Sequence, residues 1–238
     1  MKRNHGFSLV ELLVALAILG LLLGAVLAFT QSSSRLERGQ RALALLAEDL
    51  SLTATVLARE VYLAGYQMQA GNPLVVQGGN TLTLRFFCEG GMEIFCSTAT
   101  MNQVRTVQYK LDGGTTLYWG VCPGVTCTPT ATHPVLDGVL HFRIAYLSGG
   151  NWSATDLTVN AGPQGTNPKV EALALYLLVQ SSLRTGARGF TPGDTIAWTT
   201  VPNGNSLKAQ LDLPSSAGGD GRPVAERLVL VQTPNLMR

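Results

Sequence analysis

The chain begins as an apolar block and changes its period twice thereafter. Leu12 to Phe29 runs for 18 residues without a charged side chain. As a helix, Phe7 to Phe29 would be roughly 35 Å long, enough to cross a hydrocarbon core of about 30 Å. Thr30 to Ser34 is polar. Leu36, Leu43, Leu46, Leu50, Leu57 and Ala64 then recur at intervals built from three, four and seven, which draws one apolar stripe along a helix. Arg35, Glu37, Arg38, Arg41, Glu48, Asp49, Arg59 and Glu60 largely fall away from that stripe. No proline precedes Pro73, so the pattern predicts one helix from about Phe7 to Tyr66, weakest at Gly39 and ended by Gly65. The stripe is too short and too poorly flanked by charge for a coiled-coil seam. It reads as the face of a helix docked on a globular head.

From Asn72 onward the period shortens to two. Thr81 to Phe86 alternates, and so does Val104 to Leu111, which turns at Asp112-Gly113-Gly114 and returns through Thr115 to Trp119, a hairpin pattern. Further strands are expected at Val139 to Leu147, Val170 to Ser181 and Leu228 to Gln232. Pieces of the stretch 182–226, rich in Gly, Pro, Ser and Asn, read as long loops. The head of about 170 residues is large enough for a single core.

The N-terminus carries the chemistry. Lys2 and Arg3 stand before the apolar run, which should hold the short N-terminus in the cytoplasm and export the rest. Glu11 then sits inside the run, where a charge costs about 2.5–3.5 kcal/mol on insertion scales. A secretory signal peptide with Val26-Leu27-Ala28 as its cleavage site has a shorter apolar region and no acid. A plain signal anchor leaves Glu11 uncompensated. Gly6-Phe7-Ser8-Leu9-Val10-Glu11-Leu12-Leu13 resembles the class III signal of type IV pilins and type II secretion pseudopilins, in residue types, spacing, leader length and position. The resemblance implies cleavage after Gly6 by prepilin peptidase and N-methylation of the new Phe7 amine. It also implies that Glu11 faces a positively charged Phe7 amine, its own or a neighbour's, and a buried carboxylate is tolerable when paired at short range. Gly20 and Gly24 make a small-xxx-small pattern that lets membrane helices approach closely. Many major pilins carry a proline where this chain has Ala28, and its absence leans toward a minor subunit.

The head extends the likeness. Arg59 to Tyr66 resembles the helix end of PilW-family minor pilins and J-type pseudopilins. Val107 to Leu111 with Thr116-Leu117-Tyr118, Val135 to Val139 leading to Arg143 to Tyr146, and the late strand Val170 to Ser181 follow in the same order. Such subunits are thought to form a small complex at the pilus tip that starts polymerisation.

Cys88, Cys96, Cys122 and Cys127 all lie past the membrane segment, where an exported head meets an oxidising compartment. Four cysteines allow three pairings, and the nearest-neighbour one is favoured here, with free thiols and zinc as alternatives. The spacings lack the compact pair of a zinc site, and no histidine is near in sequence. No nucleophile elbow, phosphate-binding loop or zinc-protease helix occurs, so no enzyme and no cofactor is expected. His133 and His141 are read as a loop and a strand residue without a catalytic partner. Asp220 by itself is no calcium ligand set. DNA uptake by some pili makes DNA a partner to weigh. The chain has 17 basic and 15 acidic side chains, and two of the basic ones leave with the leader, so charge does not support it. Arg184, Arg188 and Lys208 are the remaining local patch.

The sequence thus predicts an α+β protein of the pilin fold, a long N-terminal helix packed on an antiparallel β-sheet head. Its parts are a leader at 1–6, a transmembrane and filament-core half-helix at 7–29, an amphipathic half-helix at 30–66 and a β-rich head at 67–238. The expected role is that of a minor type IV pilin held in the inner membrane with its head in the periplasm, then carried into the filament at or near its tip. Its expected partners are other major and minor pilins, prepilin peptidase and the inner-membrane assembly platform. A type II secretion pseudopilin is the alternative within the same machinery, and a membrane-anchored ligand-binding or enzymatic domain the alternative from another class.

Overall fold

The computed structural model describes residues 9–89, 96, 102–122, 131–161, 168–182, 184 and 190–236. Helix α1 runs Leu9–Leu63 without a break, about 80 Å at 1.5 Å per residue. It passes through Gly39 and stops where Gly65, at φ 79°, takes the left-handed conformation and gives its N–H to the Arg85 carbonyl at 2.8 Å. A side chain at Gly65 would stand 2.9 Å from Leu236 Cδ2, so this C-terminal stop needs glycine for conformation and for space.

Ten strands follow among the described residues, β1 (Gly71–Gln77), β2 (Thr81–Phe87), β3 (Val104–Leu111), β4 (Thr116–Cys122), β5 (Ala131–Asp137), β6 (Val139–Ser148), β7 (Asn151–Ser153), β8 (Leu157–Ala161), β9 (Ala172–Gln180) and β10 (Val224–Gln232). They form two antiparallel sheets, in the orders β5-β4-β3-β2-β1-β8 and β10-β9-β6-β7. The chain first passes from the larger sheet to the smaller through one residue, Gly138, at φ 74°. A Cβ there would meet the Gln180 carbonyl oxygen at 2.1 Å.

The helix lies across the seam of the two sheets, with its principal contacts on β10 and lesser ones on β9, β2 and β5. Leu46, Leu50, Leu57, Val61 and Ala64 enter one core with Leu82, Leu84, Phe86 and Val107 from the larger sheet and Phe142, Ile144 and Leu175 from the smaller. Each large aliphatic side chain so buried stabilises by about 1.5–3 kcal/mol. Two positions of the expected stripe lie elsewhere: Leu36 is 65% and Leu43 43% exposed. Leu36 lies below the lowest buried position, Ala42, whereas Leu43 stands at the level of the head but one residue round from Ala42, at the margin of the buried stripe.

A second correction concerns the core. The head has two hydrophobic clusters among the described residues rather than one. Strand β9 is buried on both faces, with Ala174, Tyr176 and Leu178 facing away from the helix into a cluster with Trp152, Val201, Leu207 and Leu211. Burial on both faces is why its sequence is a continuous apolar run rather than an alternation. The cover is supplied by the stretch read as loops, which folds a short helix α2 at Gly204–Gln210 and a bridge between Phe190 and Ala217. Glu226 fastens this cover to β10. It accepts hydrogen bonds from the Tyr176 hydroxyl at 2.6 Å, the Gly193 N–H at 2.6 Å, and the Thr195 N–H at 3.1 Å and hydroxyl at 2.5 Å.

Candidate functional site

The apolar run of the sequence becomes the unburied half of α1. Every Leu, Ile, Val and Phe from Leu9 to Phe29 is more than half exposed, between 52% and 77%. A lone soluble protein does not leave such a surface to water. The helix is long and apolar enough to span a bilayer by length and composition. Because the same helix continues into the head, the apolar segment and the folded head are joined by a stiff rod rather than by a linker.

Glu11 lies in the first turn of α1, and it is exposed. A carboxylate near a helix N-terminus is favoured by the unsatisfied N–H groups and the positive end of the helix dipole. Gly6 and Phe7, the positions expected for cleavage and methylation, lie outside the described residues. Gly20 and Gly24 lie on the exposed half, and a Cβ added at either would meet nothing within 4 Å. Within one chain they therefore make no close contact.

Cys88 and Cys96 are joined in a disulfide, with Cα atoms 6.0 Å apart. Both are buried at the end of β2. Cys122, at the end of β4, is also disulfide-bonded, and Cys127 lies outside the described residues.

The remaining candidates have structural duties. His133 stands in strand β5, not in a loop, with its ring 6.0 Å from that of Trp119. His141, on the other sheet, contacts the Leu211 carbonyl through Nε2 at 3.1 Å, and burial lowers its pKa against the smaller upward pull of that carbonyl. Asp220 accepts from Gln180 Nε2 at 2.8 Å and pairs with Arg222 at 3.1 Å. Lys208 lies over the Trp198 ring, 5.8 Å from its centroid. Arg188 lies outside the described residues.

The structure also reveals a polar centre that a sorting by charge conceals. Glu60, sorted by its charge to the solvent side, is 4% exposed. Its Oε2 accepts a hydrogen bond from the Tyr109 hydroxyl at 2.7 Å. Burial raises the Glu60 pKa, while the Tyr109 hydroxyl, the Arg105 charge and the Trp119 indole lower it by less. Burial, with Glu60 beside it, holds the Tyr109 phenol well above its ordinary value. Arg105 lies 5.5 Å from the Trp119 ring centroid. The sequence signal was present: Glu60 follows Leu57 by three and Thr53 by seven, on the azimuth of the buried stripe.

Comparison with known proteins bears on both ends of the chain. Residues 45–236 match the family model described as "Type IV pilin Tt1219". Residues 1–27 match the prokaryotic N-terminal methylation motif. The fold is similar to that of the type IV-like pilin TTHA1219 from Thermus thermophilus, with a TM-score of 0.71 and 45% identity, covering 80% of this chain and 98% of that one. No curated protein sequence matches the chain.

Proposed function

The chain belongs to the type IV pilin family of Tt1219, and we propose that within it the chain is a minor pilin, incorporated at or near the pilus tip and helping to initiate assembly. The family and fold are those of structural subunits rather than enzymes, and the prepilin signal implies dealings with prepilin peptidase and with other pilins. Residues 1–6 leave as the leader, cut after Gly6, and Phe7 becomes the methylated N-terminus. Residues 7–29 anchor the chain once through the inner membrane, with the head in the periplasm, until the assembly platform moves it into the filament. Residues 30–66 carry the head and 67–238 form it. The absence of a helix-breaking proline at Ala28 and the PilW-like order of motifs in the head support a minor rather than a major subunit.

One observation carries the proposal: a single uninterrupted helix has its first half wholly exposed and apolar and its second half seated in a folded head. Such a rod is suited to exchange lipid for neighbouring helices without refolding the head. Lipid tails are as apolar as leucine, so that exchange gains little hydrophobic free energy, and polar contacts must give it direction. Glu11 supplies one by pairing with a Phe7 amine.

Mass spectrometry of the N-terminal peptide from native filaments tests the reading. A chain beginning at N-methyl-Phe7 is expected, and a chain retaining Met1 overturns it. Glu11→Ala should abolish incorporation while the membrane-bound head stays folded and keeps its disulfides. Normal incorporation of that variant removes the role assigned to Glu11.

A further inference from the structure

Between the apolar run and the head, helix α1 is a bare rod. Phe29 ends the run, and Ala42 is the lowest position that the head buries. Residues 30–41 therefore span about 18 Å, and all but Gly39 are exposed. Thr30 to Ser34 is polar and uncharged. Arg35, Arg38 and Arg41 follow, with one acid, Glu37, among them. Glu37 is taken by Arg41, one turn away at 2.5 Å. Arg35 and Arg38 have no hydrogen-bond or ion-pair partner among the described residues, and their spacing of three puts them on one face of the helix. Along the helix the next acids are Glu11, about 36 Å below Arg35, and Glu48, about 15 Å above Arg38.

These arginines run against the usual charge bias of a membrane helix. The short N-terminus expected in the cytoplasm carries two bases, Lys2 and Arg3, while the exported side carries Arg35, Arg38 and Arg41 close above Phe29. Bases beside a membrane helix normally gather on the cytoplasmic side and hold its orientation there. Arg35 and Arg38 oppose that orientation, so setting it is not their duty.

Their height and direction point to another one. A hydrocarbon core of about 30 Å takes the helix from Leu9 to Phe29, and the headgroups add about 5–7 Å on each side. Thr30 to Ser34 fits that layer. Arg35 stands about 9 Å above Phe29, and Arg38 about 14 Å. In an α-helix each Cα–Cβ bond tilts towards the N-terminus, which is here the membrane side. Both side chains therefore lean back towards the headgroups, and a long arginine stem reaches them by snorkelling. The guanidinium fork matches phosphate oxygens two at a time. A zwitterionic headgroup would bring a cation for which this face has no free acid; an anionic headgroup brings none.

We propose that Arg35 and Arg38 form a collar that binds the phosphates of anionic phospholipids in the outer leaflet of the inner membrane, and so fixes the depth at which the chain is held before assembly. The collar rests on the single-pass anchor proposed above and adds a lipid ligand to it.

Native mass spectrometry of the full chain, purified from its own membranes in a non-ionic detergent and titrated with dioleoylphosphatidylglycerol, tests this. The parent should bind that lipid, and dioleoylphosphatidylcholine about tenfold more weakly or worse. Arg35→Gln with Arg38→Gln should weaken phosphatidylglycerol binding about thirtyfold, the effect of two cations lost from an anionic surface. Arg41→Gln should change it by less than about threefold, because its guanidinium already has an acid. Both collar arginines are exposed, so the double variant should keep its disulfides and its Tm. Unchanged phosphatidylglycerol binding in the double variant, equal binding of the two lipids, or an equal loss in Arg41→Gln overturns the collar. A double variant that binds lipid normally but is lost from filaments overturns it too, and makes an acid of a neighbouring subunit the partner. The same spectra give the mass of the chain. Methylated Phe7 as first residue with unaltered lipid binding in the double variant rejects the collar and spares the pilin reading, whereas an intact Met1 rejects the pilin reading whatever the arginines bind.

Discussion

Tyr109→Phe removes the hydroxyl that donates to Glu60 at 2.7 Å and leaves the ring in the core, so it isolates one bond between helix and head. Its cost depends on the charge of the acceptor. A hydrogen bond to a charged group contributes about 1.5–3 kcal/mol, one between neutral groups about 0.5–1.5 kcal/mol. Burial raises the Glu60 pKa in the folded protein, and the Tyr109 hydroxyl opposes that rise. The folded state thus favours the protonated acid. The stability this gives is full below the ordinary carboxylate range and is lost as pH climbs through the raised value. Removing the hydroxyl raises the folded value further and deepens the loss. Tyr109→Phe should therefore cost about 0.5–1.5 kcal/mol at pH 4, where the acid is largely neutral, and about 1.5–3 kcal/mol at pH 8. At roughly 2–4 °C per kcal/mol for a chain of this size, the pH 8 figure becomes a fall in Tm of about 3–12 °C. Near-ultraviolet circular dichroism of the full chain in detergent is the assay, because Trp119 reports on the head while the apolar half-helix persists in the micelle. Glu60→Gln is the companion variant. It cannot titrate, so it should flatten the pH slope and reduce the cost of Tyr109→Phe to the neutral figure at both pH values. Equal costs at pH 4 and pH 8, unchanged by Glu60→Gln, would refute this account of how the helix is seated.

Two further outcomes follow from the head. Glu226→Ala removes the acceptor for Tyr176, Gly193 and Thr195; it should cost about 2–3 kcal/mol and speed amide exchange across 190–217 before the helix-side core responds, and uniform exchange would show that the cover is held by apolar packing instead. Gly138→Ala sets a methyl group 2.1 Å from the Gln180 carbonyl oxygen at a positive φ; it should lower the yield of folded head severely, with at least about 1–3 kcal/mol lost to backbone strain, and a Tm within a few degrees of the parent would mean that the two sheets can separate at this junction.

The parts most legible in the sequence were those that one period decides. Strands β2, β3 and β6 appear near the expected positions because each alternates over much of its length, and β9 because a nine-residue apolar run between polar stretches marks a strand buried on both faces. Strands β1 and β5 escaped notice because Pro73 and Pro134 interrupt them. Pro134 lies on β5, a sheet edge, where a missing N–H breaks no obligatory ladder bond on the solvent side. On the helix, Leu46, Leu50, Leu57 and Ala64 meet the head as expected. A period gives an azimuth and not a height, so Leu36 was placed on a contact that ends above it, and it gives the azimuth only coarsely, so Leu43 was placed in a stripe whose buried member at that level is Ala42. Glu60 was misplaced for a different reason: charge was taken as a sign of exposure, although its partner Tyr109 comes 49 positions later and only the folded sheet brings them together. The short helix at Gly204–Gln210 had no stripe long enough to show in a stretch dominated by turn residues.

A helix that must serve two surroundings explains why its halves obey different rules. In the first half, side chains need only be apolar, because bilayer and helix bundle make nearly the same demand of leucine. Glu11 breaks that uniformity where a polar pairing can distinguish the two surroundings. The second half must satisfy a fixed partner on one face, and there the sequence is specific, with buried positions extending from Ala42 to Ala64 and the Glu60–Tyr109 bond near the upper end. Its exposed Leu45, Leu52 and Val56 serve neither rule within a single chain. They contribute nothing to the head's own core, and their exposure in the periplasm is unfavourable until something covers them. On the proposed function, covering this flank within a filament would add an apolar gain to the direction that Glu11 gives. Incorporation should therefore be more sensitive to an acid at Leu52 than to an additional alanine among Leu12 to Phe29.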